Sequence, residues 1–298
     1  MFFTMPNHLL AFVSAFVLDL LLGTSSIKPQ LSCVYSMEYG TAGNWMSKIE
    51  EDGSAWLGFA VPVFNIVAAL AVLTLCFRLS PTAGFLAEIA VFSLLFNLKT
   101  FLTANDSLAD AIENGDTDDI KKRLCLPGEA SDNDLPVEGA AARKVSRQTA
   151  EEVVGVLFFT FLGGVVLGFL YHGLALFSRE HKDYRPDKTV KNSFRILNII
   201  PEYLCRLLIP FAGFATGKPF KASREEASLT AGNLKFGEVG VAEGAYAGAL
   251  GIKIPGETAD SGSANPNPTA GQIREMGKVM LEVGWTTVLL AVVVGLAI

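Results

Sequence analysis

Long apolar runs separated by short polar breaks set the pattern of this chain. Ala55 to Phe77 is 23 residues with no ionisable side chain, and Val153 to Ser178 is 26 with only His172. Each exceeds the ~20 residues that an α-helix needs to cross a ~30 Å hydrocarbon core at 1.5 Å per residue. Four shorter runs carry charge or close the chain: Leu9 to Gly23 holds Asp19, Ala83 to Leu98 holds Glu88, Ile199 to Thr216 holds Glu202 and Arg206, and Gly284 to Ile298 is the last. Pro201 and Pro210 fall inside the 199–216 run, which favours a buried or re-entrant helix there. The expected fold is all-α, a polytopic membrane helix bundle with spans near 9–23, 55–77, 83–98, 153–178, 199–216 and 284–298. No Lys or Arg precedes the first apolar run and no small-residue cleavage site follows it, so it reads as a retained span.

Two hydrophilic stretches interrupt the spans. In 100–152, Phe101, Leu102, Leu108, Ala109, Ala111, Ile112, Ile120 and Leu124 recur at three- and four-residue spacing, broken by the turn Asn114-Gly115-Asp116. A helical extramembrane segment is expected, followed by a Pro, Gly and Asp-rich loop at 126–139 and a charged helix from Ala140 to Val153. The 217–283 stretch is a Gly-rich extramembrane segment. Its run from Gly237 to Gly251 alternates Ala and Gly, which lets backbones approach one another or a ligand closely, with packing the first reading. No repeat of fixed period is present.

Composition agrees with lipid contact. Half of the 298 residues are apolar and 18% are charged, against roughly a quarter charged in average globular chains. Net charge is −6, yet Arg179 to Arg195 holds six basic residues against Glu180, Asp183 and Asp187. The positive-inside rule places that loop in the cytoplasm. An acidic chain with so short a basic cluster is not expected to bind nucleic acid. Cys33, Cys76, Cys125 and Cys205 are far apart, with no C-x-x-C pair, and read as small core residues.

Several polar motifs, in order along the chain, resemble those of the CobD/CbiB cobalamin-biosynthesis family. They are Leu18-Asp19-Leu20-Leu21-Leu22-Gly23, then Gly43-Asn44-Trp45 to Glu50, and Asn97-Leu98-Lys99 leading to Ala111-Ile112-Glu113-Asn114-Gly115-Asp116. Ser146-Arg147-Gln148-Thr149 resembles a G-R-D-T element, Leu157-Phe158-Phe159 with Gly163-Gly164 and Tyr171 a P-L-F-[WY] and G-G…Y segment, and Arg195 through Asn198 to Pro201 an R-x-D-D-x-N-x-x-P element. Gly244 to Ile252 resembles A-M-A-G-A-L-G-V. The resemblance implies a multi-pass protein of the bacterial inner membrane that joins an aminopropanol, or its phosphate, to the propionate of adenosylcobyric acid. It also implies a corrinoid substrate, ATP and Mg²⁺, and other cobalamin-pathway enzymes as partners.

Departures accompany the matches. The family's E-S-x-A-E-N-x-x-D-G run is compressed to Glu151-Glu152-Val153-Val154-Gly155, N-T-x-D-S reads Ala175 to Ser178, and both aspartates of R-x-D-D are Ile196 and Leu197. From Val156 to Ala212 the chain also resembles AmpE, a membrane signalling component, through Pro201-Glu202-Tyr203-Leu204 and Phe211-Ala212-Gly213-Phe214. That second resemblance implies a non-catalytic membrane sensor or assembly factor.

The substrate-binding residues expected from the matching positions are Asp19, Lys99, Asp116, Arg147, Arg195, Asn198 and Glu243. Lys99, Arg147 and Arg195 are cations suited to phosphate or carboxylate, and Glu243 lies beside the small-residue run. No catalytic residue and no metal ligand is assigned, because no phosphate-binding loop, H-E-x-x-H, G-x-S-x-G or Cys/His cluster occurs. Glu202 and Arg206, four apart on one helical face, are expected to pair. Glu88 is expected near an interface or protonated, and His172 as a bundle histidine.

Overall fold

A computed structural model describes residues 5–22, 57–115, 120, 136–178, 188–233, 240–255, 262 and 266–297. Asp116, residues 43–50, and 179–187 of the basic loop lie outside the described residues. The described elements are helical: α1 (Met5–Leu22), α2 (Leu57–Leu79), α3 (Pro81–Leu95), α4 (Leu98–Asn114), α5 (Val137–Gln148), a π-helical segment (Thr149–Gly155), α6 (Val156–Phe177), α7 (Lys188–Ala215), α8 (Phe220–Asn233), α9 (Val241–Leu250) and α10 (Ala270–Ala297). Among the described residues five helical stretches are long and apolar enough to cross a membrane: Phe59–Leu79, Pro81–Asn114, Val137–Phe177, Lys188–Ala215 and Ala270–Ala297. The chain is an all-α, multi-pass membrane protein. It forms two compact units.

The first unit comprises residues 1–100, 156–194 and 288–298. Here α3 packs on α1, α2 and α6. The boundary between α2 and α3 is written in Ser80-Pro81. The Ser80 hydroxyl accepts the Ala83 N–H at 3.0 Å and Pro81 occupies the first helical position, where its missing N–H costs nothing. Phe12 stands edge-on to Phe92, Phe96 and Phe161. The outward face of α2 shows Val63, Phe64, Val67, Leu70 and Leu75, the surface expected against lipid tails.

Within that unit α6 is not one straight rod. Gly163 (φ −137°, ψ 20°) and Gly164 (φ 58°, ψ −143°) leave helical geometry, the second in the left-handed region that glycine alone adopts cheaply. Beyond the turn the chain doubles back. The rings of Phe159 and Tyr171 stack with centroids 4.6 Å apart, although residues twelve apart in a continuous helix are separated by about 18 Å along the axis. Likewise the Thr160 Cβ lies 3.4 Å from where a Cβ on Gly168 would sit. The apolar run expected as one span at 153–178 is therefore π-helical over its first residues and a helical hairpin over the rest, with arms Val156–Gly163 and Gly164–Phe177.

The second unit comprises 101–155 and 195–287. Its centre is the pairing of α8 with α9, and α9 also packs on α5. At Gly248 a side chain would collide with the α8 backbone, 2.8 Å from both Ala222 C and Ser223 Cα. The small-residue run thus serves close helix packing, and Ser223 Oγ donates to Ala245 O at 2.7 Å across the same seam. Gly251, at φ 60°, ends α9 in a left-handed cap, after which Ile252 and Ile254 turn fully inward.

A buried arginine and carboxylate cluster as candidate functional site

The charged helix expected from Ala140 is amphipathic in a different sense from a solvated one. Most of α5 is buried, Arg143 included. Arg143 and Arg147 are one turn apart and both face Glu243, on the first turn of α9, with Nε to Oε1 distances of 3.6 and 3.5 Å. Glu243 is 3% exposed and Arg143 5%, so these charges stand in a medium that strengthens their attraction and makes loss of either partner costly.

α5 then passes into the π-helical turn Thr149–Gly155, all seven residues buried, including Glu151 and Glu152. π-Helical turns are rare and concentrate at functional sites. At the junction the Thr149 hydroxyl lies 3.0 Å from Tyr246 Oη, and Tyr246 also reaches Met276 O at 3.3 Å. Burial pushes the Tyr246 hydroxyl above the ordinary range of a tyrosine, so it stays a neutral donor. From α7, Glu202 accepts the Ala242 N–H at 3.2 Å and a second bond from Gly240, holding the start of α9. Glu151 and Glu243 lie within its electrostatic reach. Four acidic groups and two guanidinium groups thus share one buried region.

Placement of the expected residues is uneven. Arg147 and Glu243 meet in this cluster. Asn198 is buried on α7 one turn before Glu202, whereas Arg195 is exposed at the beginning of the same unit. Asp19 and Lys99 come together in the first unit, where the Lys99 N–H donates to Asp19 Oδ2 at 3.3 Å. Asp19 therefore serves the first turn of α4, whose orphan N–H groups seek an anion, and the Lys99 side chain is exposed. The expected Glu202–Arg206 pair does not form. Arg206 donates to Ser228 Oγ at 3.2 and 3.0 Å, while Glu202 takes backbone N–H groups instead. Glu88 is 2% exposed and bonded to His8 Nδ1 at 2.6 Å, so it has a specific partner. Arg143, Thr149 and Tyr246 escaped notice as site residues. The i, i+4 spacing of Arg143 and Arg147 was the available signal.

No group of three His, Cys, Asp or Glu able to hold a metal converges among the described residues. Glu202 and Glu243 are already committed to N–H and guanidinium partners. Among the described residues no ligand set for Mg²⁺ is assembled.

These features define a multi-pass helical membrane protein with a buried arginine and carboxylate cluster. Among curated proteins the chain is similar to two called cobalamin biosynthesis protein CobD, from Listeria monocytogenes serovar 1/2a and serotype 4b, each 29% identical over 145 residues. The match covers 45% of this chain and 44% of each relative, so the aligned part spans less than half the length of the curated relatives. No family model and no solved structure matches. The chain is a divergent relative of the CobD/CbiB proteins. The AmpE resemblance gains no support from these relatives.

Proposed function

We propose that this protein acts in cobalamin biosynthesis, in the bacterial inner membrane, as a carbon–nitrogen ligase that joins an aminopropanol or its phosphate to the propionate of adenosylcobyric acid. One observation carries the reading. The two family-like motifs Ser146 to Thr149 and Gly244 to Ile252, nearly a hundred residues apart in sequence, meet at the Arg147–Glu243 and Thr149–Tyr246 contacts. Amide formation condenses a carboxylate with an amine and releases water. It needs cations to hold the anionic reactant and carboxylates to receive the amine and its proton. Arg143 and Arg147 suit the first task, with Glu243 fixing both guanidinium groups until a substrate anion shares them. Glu151 and Glu152, buried in the π-helical turn that follows Arg147, suit the second. The nucleoside triphosphate that would drive the condensation is implied by the resemblance alone.

Expression in a bacterial strain lacking its own CobD/CbiB enzyme tests this, with growth made dependent on cobalamin formed from cobyric acid. Rescue by the wild-type chain and its loss in Arg147→Ala are expected. Failure of a membrane-inserted, well-expressed wild-type protein to rescue growth overturns the ligase reading.

A further inference from the structure

The geometry points to a membrane topology in which α6 enters and leaves the bilayer on one face and α7 does not cross it, so that the chain before α6 and the chain after α7 share one compartment. The arms of α6 are too short to cross. In the first arm the apolar part that follows Glu151 and Glu152, Val153 to Gly163, spans about 16 Å, and the fourteen residues of the second span about 21 Å, against a ~30 Å core. The turn at Gly163-Gly164 then lies at membrane depth. Non-helical backbone survives there only if protein covers it, and His8 does so: its ring packs against Gly164 and is held by the buried Glu88 and by an edge-on contact with Phe92. A polar pair among apolar helices is expensive unless it has work of this kind.

α7 completes the case. Ile196, Ile200, Tyr203, Leu207, Phe211 and Phe214 are all more than 45% exposed and recur every three or four residues, which draws a single apolar stripe down one side. The opposite side buries Asn198, Glu202, Cys205 and Ile209, and Lys188, Lys191 and Arg195 precede the stripe. A one-sided helix with basic residues at its start fits the headgroup boundary, where the stripe meets acyl chains and the cations meet anionic lipid phosphates. Parity then binds the two features together. Arg147 and Thr149, before α6, touch Glu243 and Tyr246, after α7, so the intervening chain crosses the bilayer an even number of times. With the hairpin making none, α7 makes none. The second unit therefore draws its substrates from one aqueous side, whatever reaction it performs.

Two measurements on the full chain, with Cys33, Cys76, Cys125 and Cys205 replaced by Ala, test the topology. Thr160→Cys with Gly168→Cys should close a disulfide on mild oxidation, seen as loss of two thiols to a maleimide polymer and their return with dithiothreitol. Their Cβ separation of 3.4 Å is close to disulfide range, whereas a continuous helix holds such residues about 12 Å apart. Val165→Cys with Gly173→Cys, eight apart within one arm, should stay reduced. Separately, Asn114→Cys, Asn192→Cys and Lys221→Cys should all react with a membrane-impermeant maleimide from the same side, in intact cells or in inverted vesicles. Reaction of Asn192→Cys from the side opposite to the other two, or an open 160/168 pair in a protein whose three surface thiols label normally, overturns the proposal.

Discussion

Substitution of Gly248 by alanine measures how far the glycine-rich run serves packing. The new methyl would stand 2.8 Å from Ala222 C and Ser223 Cα, where ordinary carbon contacts begin near ~3.4 Å, so α8 and α9 must separate by about 0.6 Å or more. Overpacking of this kind costs about 1–3 kcal/mol. The same shift stretches the 2.7 Å bond from Ser223 to Ala245 O to about 3.3 Å, which weakens it by less than about 1 kcal/mol. Against these, alanine in mid-helix gains up to about 1 kcal/mol over glycine. The net expectation is a loss of about 1–3 kcal/mol. Gly271 is the control: it is also helical, but a methyl added there would meet nothing closer than 3.9 Å. As alanine it should gain a few tenths to about 1 kcal/mol. Unfolding of purified protein by denaturant titration in mixed micelles reads both variants. A Gly248→Ala protein as stable as wild type, or more so, refutes the packing argument and returns the run to the role of a ligand-facing loop.

Other residues give sharper tests of single contacts. Tyr246→Phe removes the bonds to Thr149 and Met276 and should cost about 1–2 kcal/mol near neutral pH. Because burial raises the Tyr246 hydroxyl, the unfolded chain loses that proton first, so wild-type stability should fall as pH rises past about 10; a phenylalanine variant with an unchanged slope there refutes the assignment. Glu243→Gln leaves the buried Arg143 and the half-buried Arg147 guanidinium groups facing a neutral amide, and a stability loss of about 2–3 kcal/mol is expected. Growth rescue at the wild-type level with this variant would show that the cluster is not the site. His8→Phe strands the Glu88 carboxyl and should destabilise by about 1–3 kcal/mol, most of it recovered in His8→Phe with Glu88→Leu; equal losses in the single and double variants would mean that the pair is not coupled.

Much of the helical framework was legible because lipid imposes a simple demand: runs without charge must be long, and Ala55 to Phe77 meets it on composition alone. Ser80-Pro81 gives away a helix start through a local mechanism that needs no tertiary information. The site was only half legible. Arg147 and Glu243 stood in recognisable motifs, but nothing in spacing says that a residue on α5 faces one on α9. The pairing expected between Glu202 and Arg206 rested on their shared helical face, and it lost to the N–H groups at the start of α9, whose position only the fold defines. Asp19 repeats the lesson: its motif marked it as a substrate-binding candidate, and only the fold shows that it accepts the Lys99 N–H at the start of α4.

The hairpin in α6 shows why the cleanest hydropathy signal is the least informative about path. Apolar content over 26 residues is the same whether they run straight or double back, because both arrangements remove the side chains from water. What distinguishes them is local: Gly163-Gly164 permits a left-handed step, Gly168 leaves room for Thr160, and Phe159 and Tyr171 lie twelve apart where stacking requires a reversal. A glycine pair is common in membrane helices for packing reasons alone, so it marks a turn only when aromatic residues on either side need each other. The same run of sequence can therefore satisfy the bilayer and still keep Arg147 and Glu243 within reach of one another. Replacement of Gly164 by valine forces the choice: with the left-handed step forbidden, the 160/168 disulfide should no longer close.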